Sequence, residues 1–133
     1  MPAEPVRTVL VVEDDPHVRL LLERLVRGAG YAVLSAETGA EALAMLGASG
    51  GTETPGEGVD VLLTDIGLGD LHGGELARRA LELRPGLPVV YASGEGGVRA
   101  MRRGMPAGDA FLLKPFRAED LEQVLGDVFA ARE

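Results

Sequence analysis

At 133 residues, with 46% apolar residues and no cysteine, the chain has the size of one compact domain, and disulfides, thiolate metal sites and cysteine nucleophiles are excluded. A formal net charge of −8 disfavours phosphate-backbone partners, so no nucleic acid is expected. The longest apolar runs, such as Val9–Val12 and Val61–Leu63, are too short to span a bilayer, and residues 1–7 lack the apolar segment of a signal peptide; a soluble cytoplasmic domain without membrane contact is the expectation.

In chain order, Thr8–Val12 is a continuous apolar, β-branched run that stops at three acids, the pattern of a strand buried on both faces. Asp15 can cap a helix opened by Pro16, with Val18, Leu21, Leu22, Leu25 and Val26 at helical spacing and Gly28 and Gly30 ending it. Tyr31–Ala36 reads as a second strand. Thr38 begins a capping box with Glu41, ahead of a helix whose apolar face is Ala42, Leu43 and Leu46. Residues 48–58, rich in Gly, Ser, Thr and Glu, read as a flexible loop. Val59–Thr64 is a third strand, Gly73–Leu83 a helix ended before Pro85, and Leu87–Ala92 a fourth strand that Pro88 can only begin. Val98, Ala100 and Met101 hint at a short helix made marginal by glycines between 94 and 108. Ala110–Leu113 is a fifth strand, and a last helix runs from about Arg117 to Ala131. Strands alternating with helices predict one doubly wound α/β domain over 1–133, with its core at about 8–131.

In such a sheet, chemistry gathers beyond the carboxyl ends of the strands. The first strand ends in Glu13 and Asp14, the third in Thr64 and Asp65, the fourth in Ser93 and Gly94, and the fifth in Lys114 before Pro115. Three carboxylates repel one another unless a cation joins them, and an all-oxygen donor set suits Mg²⁺. With a hydroxyl and an ammonium on the same rim, the inventory meets the needs of phosphoryl transfer to a carboxylate: positioning and charge neutralisation. Asp65 is then the nucleophile.

Four segments in order, Val-Val-Glu-Asp-Asp (11–15), Leu-Leu-Thr-Asp-Ile-Gly-Leu (62–68), Pro-Val-Val-Tyr-Ala-Ser-Gly (88–94) and Phe-Leu-Leu-Lys-Pro-Phe (111–116), make the chain resemble the bacterial response-regulator receiver family from Val9 to about Phe129. The resemblance implies a flavodoxin-like (βα)5 sandwich with a parallel sheet of order 2-1-3-4-5. It implies a phosphorylation switch in a two-component or phosphorelay system rather than an enzyme in its own right. Asp65 corresponds to the phosphoacceptor, Asp14 to a direct Mg²⁺ ligand, Glu13 to an acid acting mostly through water, and the Gly67 backbone carbonyl to a further metal oxygen. Ser93 matches the switch hydroxyl and Lys114 the family lysine, with a cis peptide expected before Pro115. Phe111 stands where the family carries a rotating aromatic, and reads equally as core packing. Implied partners are a histidine kinase or histidine phosphotransfer protein, and a downstream partner on the face made by the marginal helix, the fifth strand and the last helix. Dimerisation stays open, and no output domain is expected in the chain.

The chain departs from the family pattern at Gly69, where Pro is usual, at His72, often Asp, and at Gly67, often a larger polar residue. His17 and His72 read as solvent-facing. An aspartate-nucleophile phosphatase of the haloacid-dehalogenase type needs a second acid where Gly67 stands, and a nucleophile-elbow hydrolase needs a Gly-x-Ser-x-Gly absent around Ser93. An inert receiver used only for binding fits poorly with a full set of reacting groups. A nucleotide binder would need a Gly-rich loop where the acids stand.

Overall fold

The computed structural model describes residues 6–48, 58–94 and 110–131. Five strands, β1 (Thr8–Val12), β2 (Ala32–Ala36), β3 (Val61–Asp65), β4 (Val89–Ser93) and β5 (Ala110–Leu113), form one parallel sheet of order β2-β1-β3-β4-β5. Four helices accompany them among the described residues: α1 (Pro16–Gly28), α2 (Gly39–Ala48), α3 (Gly73–Leu83) and α4 (Ala118–Ala131). The loop expected within 48–58 and the marginal helix near 98–101 lie almost wholly outside the described residues. None of the described helices is long and apolar enough to cross a membrane.

Val9–Val12 are fully buried because β1 has a strand on each side and a helical layer on each face. Successive residues feed two cores. Leu10, Val12, Leu62, Val89 and Tyr91 pack with Ala42 and Leu46 of α2 and Leu76, Ala77 and Ala80 of α3. Val9, Val11, Val61, Leu63, Val90, Ala92 and Leu112 pack with Leu22 and Val26 of α1 and Leu121, Leu125, Val128 and Phe129 of α4. β2 pairs only with β1, and its burial is correspondingly incomplete.

Capping sets the helix starts. The Asp15 carboxylate accepts from His17 N at 2.8 Å and Val18 N at 3.3 Å, with Pro16 in the first turn, as expected. Thr38 Oγ1 accepts from Glu41 N at 3.0 Å. After α1 the chain reverses through Gly30 at φ +98°, a left-handed conformation that disfavours any side chain.

Some expectations shift. Leu21, placed on the apolar face of the first helix, is 54% exposed: Leu22 and Val26 carry the buried stripe, with Val18 and Leu25 partly covered. β3 runs Val61–Asp65 rather than Val59–Thr64, and just before it Asp60 N still donates to the Thr8 carbonyl at 2.9 Å. β4 begins at Val89 rather than Leu87, whose N–H bonds back to Arg84 O in a turn. α3 and β5 have the expected bounds.

Candidate functional site

The register of the sheet brings the rim residues together. β1 runs out at Val12 opposite Thr64, so Glu13 and Asp14 follow beside Asp65, the last residue of β3. Asp65 pairs with Ala92, and Ser93 with Leu113, so Lys114 follows directly across from the end of β4; Lys114 N donates to Ser93 O at 2.9 Å.

Lys114 Nζ donates to Glu13 Oε1 at 3.0 Å and lies 3.5 Å from Asp65 Oδ2. Asp65 Oδ1 accepts from Ile66 N at 2.7 Å, so one carboxylate oxygen is held by backbone and the other faces the ammonium. Glu13 is only 2% exposed, whereas Asp14 is open to solvent. Burial pushes the Glu13 carboxyl above the usual glutamate range; the hydrogen bond and charge of Lys114 oppose that shift, and Asp65 adds to it. Carboxylate oxygens of Glu13, Asp14 and Asp65 lie within 4.8 Å of one another. Among the described residues, three clustered acids face one ammonium, that of Lys114, in a donor set of carboxylate oxygens. That set fits a hard divalent cation.

Gly67 stands at the surface and faces His72 in an isolated antiparallel bridge; a Cβ on it would meet nothing within 4 Å. Phe111 packs on Tyr91 with ring centroids 5.5 Å apart. The Lys114–Pro115 peptide is cis, as the resemblance implied. His17 and His72 are both exposed, as expected, yet His72 is also the N-cap of α3, its Nδ1 accepting from Gly74 N at 3.1 Å.

Two neighbours of the site went unnoticed in the sequence. Arg19, on α1, donates from Nη1 to the Glu13 carbonyl at 2.9 Å and faces Glu37 at 3.7 Å. Asp70 accepts from Gly39 N and Ala40 N at the start of α2, at 2.9 and 3.0 Å. Neither has a local motif, because each partner comes from a different element.

A family model described as "Response regulator receiver domain" matches residues 9–126. The chain is 35% identical to the response regulator receiver protein CpdR of Brucella abortus over 116 residues, covering 86% of this chain and 90% of that protein. It is 32% identical over 124 residues to a chemotaxis protein CheY homolog of Campylobacter jejuni, with 90% of each covered. It is also 31% identical to the transcriptional regulatory protein GlrR of Escherichia coli, but spans only 25% of that protein's length. Among solved structures, a putative response regulator from Chloroflexus aurantiacus superposes with a TM-score of 0.78 at 30% identity, covering 96% of this chain and 99% of the other. A receiver domain protein from Clostridium thermocellum shares the fold at a TM-score of 0.80 and 23% identity, covering 96% and 97%. The chain therefore belongs to the response-regulator receiver domains of two-component systems, whose work is phosphorylation-dependent signalling.

Proposed function

We propose that the chain accepts a phosphoryl group on Asp65 from a phosphohistidine of a histidine kinase or phosphotransfer protein, as a single cytoplasmic receiver domain. The observation that carries this reading is the orientation of Asp65: Oδ1 is tied to Ile66 N, and Oδ2 points at the Lys114 ammonium inside a cluster of three acids. A carboxylate so placed is fixed through one oxygen and turns the other toward a neutralising cation, as a nucleophile here must.

In the transfer, Asp65 Oδ2 forms the new P–O bond as the P–N bond to histidine breaks; the imidazole nitrogen leaves with the electron pair and takes up a proton. Lys114 neutralises charge on an outer phosphoryl oxygen, which requires it to loosen its hold on Glu13. Asp14, Asp65 and the Gly67 carbonyl would hold Mg²⁺, with Glu13 acting from behind. Bound there, the cation would offset the charge of acids and phosphoryl group together. The Ser93 hydroxyl would take another phosphoryl oxygen, drawing in the end of β4. Phe111, resting on Tyr91, would follow, and the altered face of β5 and α4 would meet the downstream partner. The chain speeds its own phosphorylation and dephosphorylation but acts on no separate substrate.

Incubation with acetyl phosphate and Mg²⁺, followed by intact mass measurement, tests the reading. One added phosphoryl group is expected for the parent and none for Asp65→Asn. An unmodified parent would overturn it.

A further inference from the structure

The segment 66–73 that joins β3 to α3 is held at its base and at its tip. At the base, Gly67 and His72 form a bridge and Gly73 N donates to Ile66 O at 2.6 Å. A Cβ on Gly73 would run into the Asp65 carbonyl oxygen and sit 2.7 Å from Ile66 Cα, so this base is packed directly against the backbone of the acceptor residue. At the tip, Asp70 reaches 31 residues back in sequence: Oδ1 accepts from Gly39 N and Oδ2 from Ala40 N. Both bonds hold the Asp70 carboxyl below the usual aspartate range.

Leu71 comes so close to α2 that a Cβ on Gly39 would stand 2.7 Å from Leu71 Cδ1 and 3.1 Å from Leu71 Cβ. The rest of that helix start is served from within, Glu41 N by Thr38 Oγ1 and Ala42 N by Thr38 O. The first four amides of α2 are thus satisfied, two of them by a different segment. Between Asp65 and Asp70 the chain carries Gly67 and Gly69, residues that leave a backbone the most freedom to lose. A loop of that composition needs an outside hold to keep one shape.

We propose that Asp70 is a positioning residue for phosphoryl acceptance: by capping α2 from across the fold, it fixes the 66–73 loop and so the Gly67 backbone beside Asp65. This inference rests on the acceptor reading above. A purely structural cap would matter to α2 alone, and Thr38 provides the control, because its hydroxyl and carbonyl cap the same helix from its own stretch of chain.

The test compares the full chain with Asp70→Ala, Asp70→Asn and Thr38→Ala. Loss of either cap should lower the thermal midpoint by about 3–5 °C. Only Asp70→Ala should speed amide hydrogen exchange at Gly73 and raise the Mg²⁺ concentration for half-maximal modification by acetyl phosphate, by about tenfold. Asp70→Asn, which keeps one acceptor oxygen, should fall between, and it carries the comparison if the alanine variant fails to fold. Equal Gly73 exchange and equal Mg²⁺ dependence in Asp70→Ala and Thr38→Ala would overturn the proposal while leaving the acceptor reading intact. A parent chain that takes up no phosphoryl group, even with Gly73 exchange responding as expected, would overturn the acceptor reading and the role assigned to Asp70 with it.

Discussion

The acidic pocket and the helix starts around it use the same functional group in opposite ways. Asp15 and Asp70 each accept two backbone N–H bonds, and both are held below the usual aspartate range by them. Glu13, one step from Asp14 and two from Asp15, is instead buried against a lysine and pushed upward. An acid met by backbone amides has its charge answered locally and serves the fold. In the cluster Glu13 and Asp65 accept one such bond each, too little to answer the charge of acids set side by side, and the need for a cation is what makes them a site.

The largest effect separating the two sets should come from Mg²⁺. At a hundredfold excess over its dissociation constant, the ion should stabilise the chain by about 2.7 kcal/mol in calorimetric unfolding. Asp14→Ala should remove most of that gain; an undiminished shift would take Asp14 off the ligand set. Lys114→Ala comes next. It leaves the buried Glu13 carboxyl without its ammonium, at about 1–2 kcal/mol, well short of a fully buried pair because Lys114 is 28% exposed. Glu13 binds its proton more tightly in the folded state, so its contribution is present at low pH and lost as pH rises through its folded value. Removing Lys114 enlarges that loss, so denaturant unfolding should show a greater defect at pH 7 than at pH 5.

Asp15→Ala should be smaller, lowering the thermal midpoint by about 2–4 °C while leaving the Mg²⁺ shift unchanged. A halved Mg²⁺ shift would erase the distinction between capping and clustered acids. The sign here is the reverse of Glu13. A depressed folded value gives stability present above the ordinary aspartate value of about 3.9 and lost as pH falls through the folded one. Asp15→Asn should therefore flatten the acid limb of a stability–pH curve. Smallest is Glu75→Gln on the outer face of α3. Bonds from Arg78 and Arg79 hold Glu75 at about 2, yet the network stands in solvent, and no change in the midpoint should be resolved at neutral pH.

Much of this was legible in the residues. Strands buried on both faces read as uninterrupted apolar runs, so Val9–Val12 and Val61–Leu63 announced the middle of the sheet, and the acids beyond them marked the rim. Local caps such as Asp15 and Thr38 followed from spacing alone. What spacing does not carry is the partner across the fold. Asp70 looked like any loop acid because its amides lie 31 and 30 residues away. Nothing in Glu13-Asp14 says which of the two is buried; the lysine 101 residues on decides it. Leu21 misled for a related reason: helical spacing nominates a face, but only the neighbouring layers determine how wide a stripe they cover.

The alternation of the strands between two cores has one further consequence. Val9, Val11 and Glu13, Val61, Leu63 and Asp65, and Ala110, Leu112 and Lys114 each advance by two residues, and the apolar members all belong to the layer of α1 and α4. Lys114 and the two carboxylates it joins, Glu13 and Asp65, share that parity. One residue inserted between Leu63 and Asp65 would set the two on opposite faces, so that either the acid leaves the site or Val61 and Leu63 leave their layer. Evolution can lengthen the loops of such a domain freely, but the counting inside its strands is locked to its chemistry.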